Sequence, residues 1–353
     1  MIKKLIKSAV IGLLAALLIL LVIPQFRSMT SFYLSDDVVS FKSAVRLASP
    51  AVVNVYNRSF SATQNNSDTE LEVRNLGSGV IMSKDGYILT NRHVIQNADQ
   101  IVVALQSGQV SSATLVGSDN LTDIAVLKIN AENLPTIPQN PDRQISVGDV
   151  VLAIGNPYNL GQSVSQGIIS ATGRNAVGDA SGRQNFIQTD ASINRGNSGG
   201  ALINSLGELI GISTLSIGKD SNEIAEGLNF AIPIDIANKV MHKIIRDGRV
   251  IRGYLGVGSN ILYSNGKGFD GQGVLISSVA PNGPAEKAGI QAGDVIVKMD
   301  NTEIHSAPQM MELISDTAPY TQINVSVLRL GKILVLPVTI GELIVPNTVV
   351  SGE

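Results

Sequence analysis

The sequence predicts a mainly β protein, in which a double β-barrel is preceded by an N-terminal transmembrane helix and followed by one small α/β module. Three patterns support this fold class. Short apolar runs rich in β-branched residues alternate with glycine turns from residue 51 to about residue 215, as in packed barrels. An amphipathic helical pattern over residues 234–249 leads into shorter strand and helix patterns. Near the N-terminus lies a long apolar run without charge.

The composition excludes several functional classes. With 353 residues, the chain can form two or three domains with sizeable cores. Its formal net charge is −3 and its basic residues are not concentrated, so no nucleic-acid partner is expected. Because it contains no cysteine, it cannot form disulfides, thiolate nucleophiles or cysteine metal sites. No pattern predicts a metal or a cofactor.

Residues 1–27 are predicted to be a cytoplasmic stub and transmembrane anchor. Lys3, Lys4 and Lys7 precede the apolar run, and 19 uncharged residues separate Lys7 from Arg27. As a helix these residues would extend about 29 Å, close to the thickness of a bilayer core. The lysines place the N-terminus in the cytoplasm. The alternative is a cleaved signal peptide, but residues 24–30 offer only a poor cleavage site, which favours a retained anchor.

The rest of the chain divides by pattern. Residues 28–50 form a polar tether and an oligomerisation segment with helical spacing, and residues 51–251 form the double barrel. Residues 252–343 form the α/β module, and residues 344–353 are a tail. Strands are expected at residues 51–56, 79–82, 87–91, 101–105, 114–116, 124–129, 150–155 and 166–174. The polar residues 59–68 are expected to form a loop.

Residues 196–200, Gly-Asn-Ser-Gly-Gly, have the composition of a serine nucleophile loop. Such a loop exposes the serine hydroxyl and directs backbone N–H groups at a developing oxyanion, which glycine makes possible. On its own, this stretch is equally typical of a glycine-rich hairpin turn. The choice between the two depends on whether a base and an acid accompany Ser198.

Among the three histidines, His93 is the candidate base. It ends an apolar strand pattern, and Asp123 lies between it and Ser198, at the head of the apolar run 124–129. A carboxylate there would need a partner, which the imidazole Nδ1–H would provide. Asp119 is the competing acid and is expected to be a solvated turn residue. His242 lies on a helical pattern among lysines and His305 in the C-terminal module, so both are expected on the surface.

Three motifs together resemble the HtrA family of trypsin-fold serine proteases. They are Thr90-Asn91-x-His93-Val94, residues 123–128, and Asn194-x-Gly196-Asn197-Ser198-Gly199-Gly200. The resemblance extends over residues 1–342. It implies a trypsin-like double β-barrel with a His93–Asp123–Ser198 triad, and oxyanion donors at the N–H groups of Gly196 and Ser198. It also implies a homotrimer and a location in the bacterial periplasm.

The resemblance also assigns roles around the cleft. Tyr158 and Arg174 match residues that help to set the active-site loops, although Arg174 alone would pass for an exposed cation. Trypsin-like enzymes that cut after basic residues carry an acid six positions before the nucleophile, where this chain has Ser192. With Ser213, Thr214 and Leu215 as the pocket wall, small or medium apolar substrate side chains are expected.

The C-terminal module resembles a PDZ domain. Tyr254, Leu255, Gly256 and Val257 match the loop that binds a peptide carboxylate, and such a groove adds the peptide as an extra strand. The alternative is a folded appendage without a ligand.

Two functional classes follow from these assignments. The first is a membrane-anchored endopeptidase activated when C-terminal peptides of misfolded outer-membrane proteins bind its PDZ domain. As in the membrane-tethered members of the family, its substrate would be a membrane-anchored anti-sigma factor at the inner membrane. A constitutive periplasmic quality-control protease is the alternative within this class. The second class is a PDZ binding scaffold with an idle triad. The complete triad favours an enzyme.

Overall fold

The computed structural model describes residues 2–22, 40–60, 71–174, 186–216, 227–259 and 273–344. The helices of these residues are α1 (Ile2–Val22), α2 (Lys42–Ala48), α3 (Arg92–Ile95), α4 (Ile234–Asp247), α5 (Pro284–Lys287) and α6 (Ala307–Asp316). The strands before α4 are β1 (Val52–Phe60), β2 (Leu71–Ile81), β3 (Tyr87–Asn91), β4 (Gln100–Ala104), β5 (Val110–Asp119), β6 (Ile124–Ile129), β7 (Val150–Gly155), β8 (Ser163–Arg174), β9 (Phe186–Thr189), β10 (Ala201–Asn204), β11 (Leu209–Ser216) and β12 (Asn229–Pro233). The strands after it are β13 (Gly253–Tyr254), β14 (Val257–Ser259), β15 (Val274–Val279), β16 (Val295–Met299), β17 (Thr302–Glu303), β18 (Gln322–Arg329), β19 (Lys332–Thr339) and β20 (Gly341–Glu342).

The N-terminal segment forms the helix α1, within a separate unit that covers Met1–Lys42. Across the described residues, no helix is both long and apolar enough to cross a membrane. Helix α1 confirms the predicted helix, whereas its passage through a bilayer is not confirmed. The tether expected at residues 28–39 lies outside the described residues. The short helix expected before the barrels is α2, which a 3-10 turn carrying Pro50 terminates.

The first barrel closes in the strand order β1-β2-β3-β6-β5-β4, with antiparallel pairing throughout. Its interior is formed by alternate residues of each strand, as the burial of Val53 and Val55 in β1 illustrates. Two expected boundaries are wrong. Ser59 is buried within β1 rather than at the start of a loop, and β2 begins eight residues before the expected strand. The reason is the backbone ladder from Val52↔Val80 to Phe60↔Leu71, which holds polar residues that have little strand propensity.

The second barrel repeats this design in the order β10-β11-β12-β9-β8-β7. Its core contains the buried side chains Val151, Ile169, Ile187, Leu202 and Ala231. The turn that carries Ser198 connects β9 to β10, so the candidate nucleophile belongs to this barrel.

Helix α4 connects the two barrels on one side. It contacts β5 and β6 of the first barrel and β11 and β12 of the second. Its buried face is formed by Ala237, Val240, Met241 and Ile244, whereas Ile245 is 37% exposed. The helix ends at Gly248, whose φ of +72° allows its N–H to bond the Ile244 carbonyl oxygen.

The C-terminal module is a sheet of order β14-β15-β16-β18-β19, with β17 paired to β16 and a separate β13–β20 pair. Helices α5 and α6 complete it, and apolar residues from strands and helices form one core that includes Ile276, Ile296, Met310 and Val325. Strand β14 lies at one edge of the sheet, as the docking of an additional strand requires. Helix α6 and strands β18 and β19 were not predicted from the sequence.

Candidate active site

The strand pairing of the first barrel brings His93 and Asp123 together. Strands β3 and β6 pair with Asn91 opposite Ile124, so the residues just beyond these two ends are neighbours. His93 lies in the short helix α3 that continues from β3, and Asp123 immediately precedes β6. Their separation of 30 residues in the chain is thus closed by a single antiparallel pair.

His93 and Asp123 make two hydrogen bonds. The His93 Nδ1 and Asp123 Oδ2 atoms are 2.6 Å apart, and the His93 backbone N–H donates to Asp123 Oδ1 over 3.0 Å. A proton on Nδ1 leaves Nε2 as an acceptor, which is the tautomer that a general base requires. The Asp123 side chain keeps 24% exposure, so the expected buried carboxylate is only partly enclosed.

Three further groups hold the Asp123 residue. Its carbonyl oxygen accepts hydrogen bonds from the Arg92 N–H at 2.9 Å and from Asn91 Nδ2 at 3.1 Å. Its Oδ2 atom also accepts from Thr214 Oγ1, at 3.1 Å. These bonds stabilise an unusual backbone, because Asp123 has a φ of +56°. Thr214, which the sequence suggested only as a pocket residue, therefore connects the second barrel to the acid.

Ser198 does not bond to His93 in this structure. Its Oγ atom donates instead to the Thr214 carbonyl oxygen over 3.1 Å, and no hydrogen bond between described residues joins Oγ to the imidazole. Rotation of the Ser198 side chain into another rotamer would turn its hydroxyl toward the base. All three predicted triad residues thus come to one cleft, but only the His–Asp half is hydrogen-bonded.

The backbone around Gly196 has the features of an oxyanion loop. Between described residues, neither the Gly196 N–H nor the Ser198 N–H donates a hydrogen bond. The Arg195 carbonyl oxygen accepts from the Tyr158 N–H at 3.0 Å, which fixes the plane of the peptide that carries the Gly196 N–H. Gly196 has a φ of +105°, and a Cβ there would lie 2.3 Å from the Asn156 carbonyl oxygen. Only glycine fits this position.

The four predicted pocket residues have different environments. Ser192 is exposed, whereas Ser213 and Thr214 are buried. The Ser213 carbonyl oxygen accepts from the Gly199 N–H at 2.8 Å, and its buried Oγ atom has no hydrogen-bond partner among the described residues. Leu215 belongs to β11, but its side chain lies outside the described residues.

Of the two predicted regulatory residues, Tyr158 is described fully and Arg174 only by its backbone in β8. Tyr158 has a φ of +54°, uncommon for a bulky residue, and this conformation accompanies its N–H contact with the Arg195 carbonyl oxygen. Its ring is 60% exposed. The neighbouring Asn159 is held by the Tyr56 hydroxyl of the first barrel, 2.9 Å from Asn159 Oδ1.

Comparison with known proteins agrees with this geometry. Residues 77–212 match the model of a trypsin-like peptidase domain, and residues 253–340 match that of a PDZ domain. The chain is 68% identical to the serine endoprotease DegS of Haemophilus influenzae over 342 residues, covering 97% of this chain and 99% of that protein. It is 54% identical to DegS of Escherichia coli K12 over 354 residues, with the same coverage.

The chain belongs to the HtrA family of serine endoproteases. Within that family it is similar to DegS at the level of sequence. Among solved structures, the serine endoprotease of Yersinia pestis is 53% identical, with a TM-score of 0.71 over 87% of this chain and all of that one. The HtrA-type protease AlgW with a tripeptide is 43% identical, with a TM-score of 0.77 over 88% of this chain and 99% of that one.

In this HtrA protease, the predicted carboxylate loop of the PDZ domain lies between β13 and β14. Leu255 is buried and its carbonyl oxygen accepts from the Ala285 N–H at 2.9 Å, while the Gly256 carbonyl accepts from Ala280 at 2.8 Å. No hydrogen bond between described residues uses the N–H groups of Leu255 and Gly256. Val257 is partly buried against the domain core, and Tyr254 pairs with Gly341.

Among the described residues, four ion pairs connect the PDZ domain or its linker to the protease barrels. They are Arg252–Asp119, Lys239–Glu312, Lys243–Asp316 and Arg249–Glu342. We call these four pairs the interdomain contact. In three of them at least one side chain is more than half exposed, but in the first the arginine is only 13% and the acid only 8% exposed.

The position of Asp119 corrects the sequence-based prediction of a solvated turn residue. Both of its carboxylate oxygens accept from the Arg252 guanidinium at 2.7 Å, and Thr122 donates through its N–H and its hydroxyl. Burial alone would raise the pKa of Asp119, but the hydrogen bonds and charge of Arg252, with those of Thr122, outweigh it and hold this pKa below its usual value. The sequence did not reveal this pair because its members lie 133 residues apart.

Proposed function

We propose that Ser198 is the nucleophile of this endopeptidase, His93 its general base and Asp123 the residue that orients the base. Gly196 and Ser198 provide the N–H donors of the oxyanion hole. The observation that carries this assignment is the 2.6 Å contact between His93 Nδ1 and Asp123 Oδ2, beside two backbone N–H groups that are unpaired between described residues. A fluorophosphonate probe should label the protein at Ser198, and Ser198→Ala should abolish the label.

The primary specificity pocket is proposed to accept small or medium apolar side chains. Ser192 stands where an acid would recruit lysine or arginine, and Ser213, Thr214 and Leu215 are the proposed wall residues. A digest of a mixed peptide library should therefore show cleavage mainly after small or medium apolar residues. Cleavage mainly after lysine or arginine would overturn this assignment.

We further propose a membrane-anchored protease of the periplasm. Residues 1–27 would provide the anchor and cytoplasmic stub, and residues 28–50 the tether and a segment for homotrimer formation. Residues 51–251 would be the protease domain, residues 252–343 the PDZ domain and residues 344–353 a tail. The support is the uncharged run of 19 residues between Lys7 and Arg27, with basic residues on its N-terminal side. Alkaline carbonate should leave the full-length protein in the membrane pellet and release a protein that begins at Ser28.

The PDZ domain is proposed to bind C-terminal peptides of misfolded outer-membrane proteins and thereby activate cleavage of a membrane-anchored anti-sigma factor. Support comes from the N–H groups of Leu255 and Gly256, which no hydrogen bond between described residues uses, and from the open edge at Val257. The solved AlgW structures with a tripeptide and with a decapeptide are consistent with peptide binding in the family.

A route for the activation is available through Arg252. This linker residue binds Asp119, which lies four residues before Asp123 and is connected to the intervening turn by Thr122. Tyr158 and Arg174 are the other proposed regulatory residues, and the Tyr158 N–H contacts the oxyanion loop at the Arg195 carbonyl oxygen. The Ser198 hydroxyl, bonded to Thr214 rather than to His93, is consistent with a resting enzyme. A peptide can shift such an equilibrium only by its difference in affinity for the two states.

The gating hypothesis has a direct test. A protein beginning at Ser28 should be nearly silent with casein alone, and a hydrophobic decapeptide that ends in phenylalanine with a free carboxylate should activate it. The same peptide with an amidated C-terminus should not. Removing residues 253–353 should raise the basal activity and abolish the peptide response. If the protein is fully active without peptide, a constitutive quality-control protease is the better interpretation. If it never reacts with the fluorophosphonate, a scaffold with an idle triad is.

A further inference from the structure

Ser78 is a fully buried polar residue between the two barrels. It lies in β2 of the first barrel, within the sequence Gly77-Ser78-Gly79, and has 0% exposure. The nucleophile loop lies between β9 and β10 of the second barrel. Its Gly196 is 118 residues away from Ser78 in the chain. A buried hydroxyl is stable only where it finds hydrogen-bond partners, so the partners of Ser78 indicate what it holds in place.

Every polar atom of Ser78 contacts the catalytic region or its supports. Its Oγ atom donates to the Gly196 carbonyl oxygen at 2.7 Å and accepts from the Asn156 N–H at 3.0 Å. Its backbone N–H donates to the Ser198 carbonyl oxygen at 2.8 Å. Its own carbonyl oxygen accepts from Thr90 Oγ1 at 2.7 Å, which anchors Ser78 to β3. The hydroxyl makes one bond as donor and one as acceptor.

These contacts fix the backbone on both sides of the Gly196 N–H. The Arg195 carbonyl oxygen, in the peptide that contains this N–H, is held by the Tyr158 N–H at 3.0 Å. The Gly196 carbonyl oxygen, in the next peptide, is held by Ser78. Asn156 and Tyr158 belong to one loop, and Asn156 is itself 1% exposed and bonded to the same Ser78 hydroxyl. One hydroxyl therefore connects the two anchors of the glycine.

We propose that Ser78 is a positioning residue for the oxyanion hole. Its hydroxyl fixes the Gly196 carbonyl relative to the loop at Asn156, so that the Gly196 N–H points where the substrate oxyanion develops. The proposal rests on the roles proposed above for Gly196 and Ser198. Ser78 does not touch the substrate and moves no proton.

The effect of losing this hydroxyl is specific to the transition state. In a Ser78→Ala protein, the buried Gly196 carbonyl and Asn156 N–H lose their partner, and the flexible glycine backbone is free to turn. The oxyanion donor is then poorly aimed at the moment when negative charge forms, whereas binding of the uncharged substrate is little affected. A general loss of stability would have no such preference.

The test compares two buried serines of the first barrel in the full-length protein. Ser59 is 4% exposed, and its Oγ atom bonds the Asn97 carbonyl at 3.2 Å, so Ser59→Ala is a matched control that lies in β1 rather than beside Ser198. Both variants are assayed with labelled casein and the decapeptide ending in phenylalanine. Ser78→Ala should lower kcat about 10- to 100-fold, since loss of a whole oxyanion donor costs about 100- to 1000-fold, and should change KM about twofold or less. Ser59→Ala should leave both constants unchanged.

A second measurement separates positioning from folding. A peptide boronate forms a tetrahedral anion on the serine, so its affinity for Ser78→Ala should fall by the same factor as kcat. If Ser78→Ala does not fold, Ser78→Cys replaces it in the test. Cysteine keeps a weak donor in nearly the same volume, so kcat should fall by less than the roughly 10- to 100-fold expected for Ser78→Ala. Unchanged kcat in folded Ser78→Ala, or an equal loss in Ser59→Ala, would overturn the proposal. Ser198→Ala is measured in parallel, because activity in that variant would refute the catalytic assignment itself.

Discussion

At Ser78 the two barrels meet through buried, uncharged hydrogen bonds, whereas the PDZ domain meets the barrels through ion pairs. On the barrel side, Ser78 is fully buried and bonds Gly196, Ser198 and Asn156 of the second barrel at 2.7 to 3.0 Å. At the interdomain contact, the Lys239 and Glu312 side chains are 58% and 66% exposed. Exposed ion pairs contribute about 0–1 kcal/mol each, while an orphaned buried donor or acceptor costs about 1–3 kcal/mol.

The difference indicates which contact can open. Separating the barrels would leave several buried polar groups without partners, so the cleft is expected to stay assembled. Separating the PDZ domain would return Lys239, Lys243 and Arg249 to water at little cost. Of the four pairs of the interdomain contact, Arg252–Asp119 alone is buried, so removing one of its partners would leave a buried charge unpaired. The interdomain contact is thus suited to regulation and the barrel contact to catalysis.

The largest expected effect belongs to the triad. Ser198→Ala, His93→Ala and Asp123→Ala should each lower kcat/KM roughly ten-thousand-fold or more, because the three side chains act as one unit. For the same reason, the triple variant should lose about as much as the serine variant alone. The measurement is cleavage of labelled casein with the activating decapeptide present. Wild-type-like cleavage by Ser198→Ala would refute the assignment.

The second effect is a pH dependence of activated cleavage. His93 must be neutral at Nε2 to accept the Ser198 proton, so the rate should fall at acidic pH and rise as the pH is raised. The rate constant for fluorophosphonate labelling should follow the same curve, since it needs the same base. A flat profile for both, with the chemical step limiting, would contradict the role of His93.

The triad and the double barrel could be predicted from the sequence because their signals are local. The motifs around His93, Asp123 and Ser198 lie in short stretches, and strands β3, β6 and β7 were predicted to the residue. What could not be predicted depends on pairing between distant segments. Nothing beside Ser78 in the chain indicates that it bonds Gly196 from the opposite barrel. Locally, Ser78 is only a serine between two glycines in an apolar strand.

Charged residues were harder to place than apolar ones for a related reason. Asp119 has the sequence context of a turn, Gly-Ser-Asp-Asn, and turns are usually solvated. Its burial is created by Arg252, which a separate domain linker brings to it. Strand β2 is a similar case, because its polar first half forms a strand only through the ladder with β1. Tertiary partners overruled local preference at each of these positions.

The third effect compares two arginines of the linker. Arg252 forms the buried pair with Asp119, and Arg249 forms an exposed pair with Glu342. Arg252→Ala should raise basal cleavage about 5- to 50-fold, the range of a typical coupling free energy, and should lower the thermal stability by leaving Asp119 unpaired. Arg249→Ala is the matched control and should change basal cleavage by about twofold or less. Equal effects of both variants would show that burial does not distinguish the pairs.

The pH dependence of the same pair has a definite sign. The pKa of Asp119 is lowered in the folded protein, so its stabilising contribution is fully present above its unfolded value of about 4. That contribution is lost as the pH falls through the lowered pKa. Interdomain distance, measured by energy transfer between labels on the two domains, should therefore increase on acidification below about pH 4 in the wild type. In Asp119→Asn this increase should be smaller, because the most buried carboxylate of the interdomain contact is absent.

The smallest effects should come from the exposed pairs on α4. Lys239 and Lys243 bond Glu312 and Asp316 of α6 at 3.1 and 2.9 Å, where solvent screens them. Lys239→Ala or Lys243→Ala should each change the free energy of unfolding by about 0.5 kcal/mol or less, and raise basal cleavage no more than about twofold. At 1 M salt the Debye length is about 3 Å, so the wild type should behave like the double variant Lys239→Ala/Lys243→Ala at low salt. The same salt should cause no further change in the double variant. The same salt should leave kcat of the peptide-activated enzyme unchanged, because the bonds around Ser78 carry no net charge. If salt lowered that kcat in both proteins alike, the catalytic cleft would depend on charge as much as the interdomain contact does, and the contrast between them would fail.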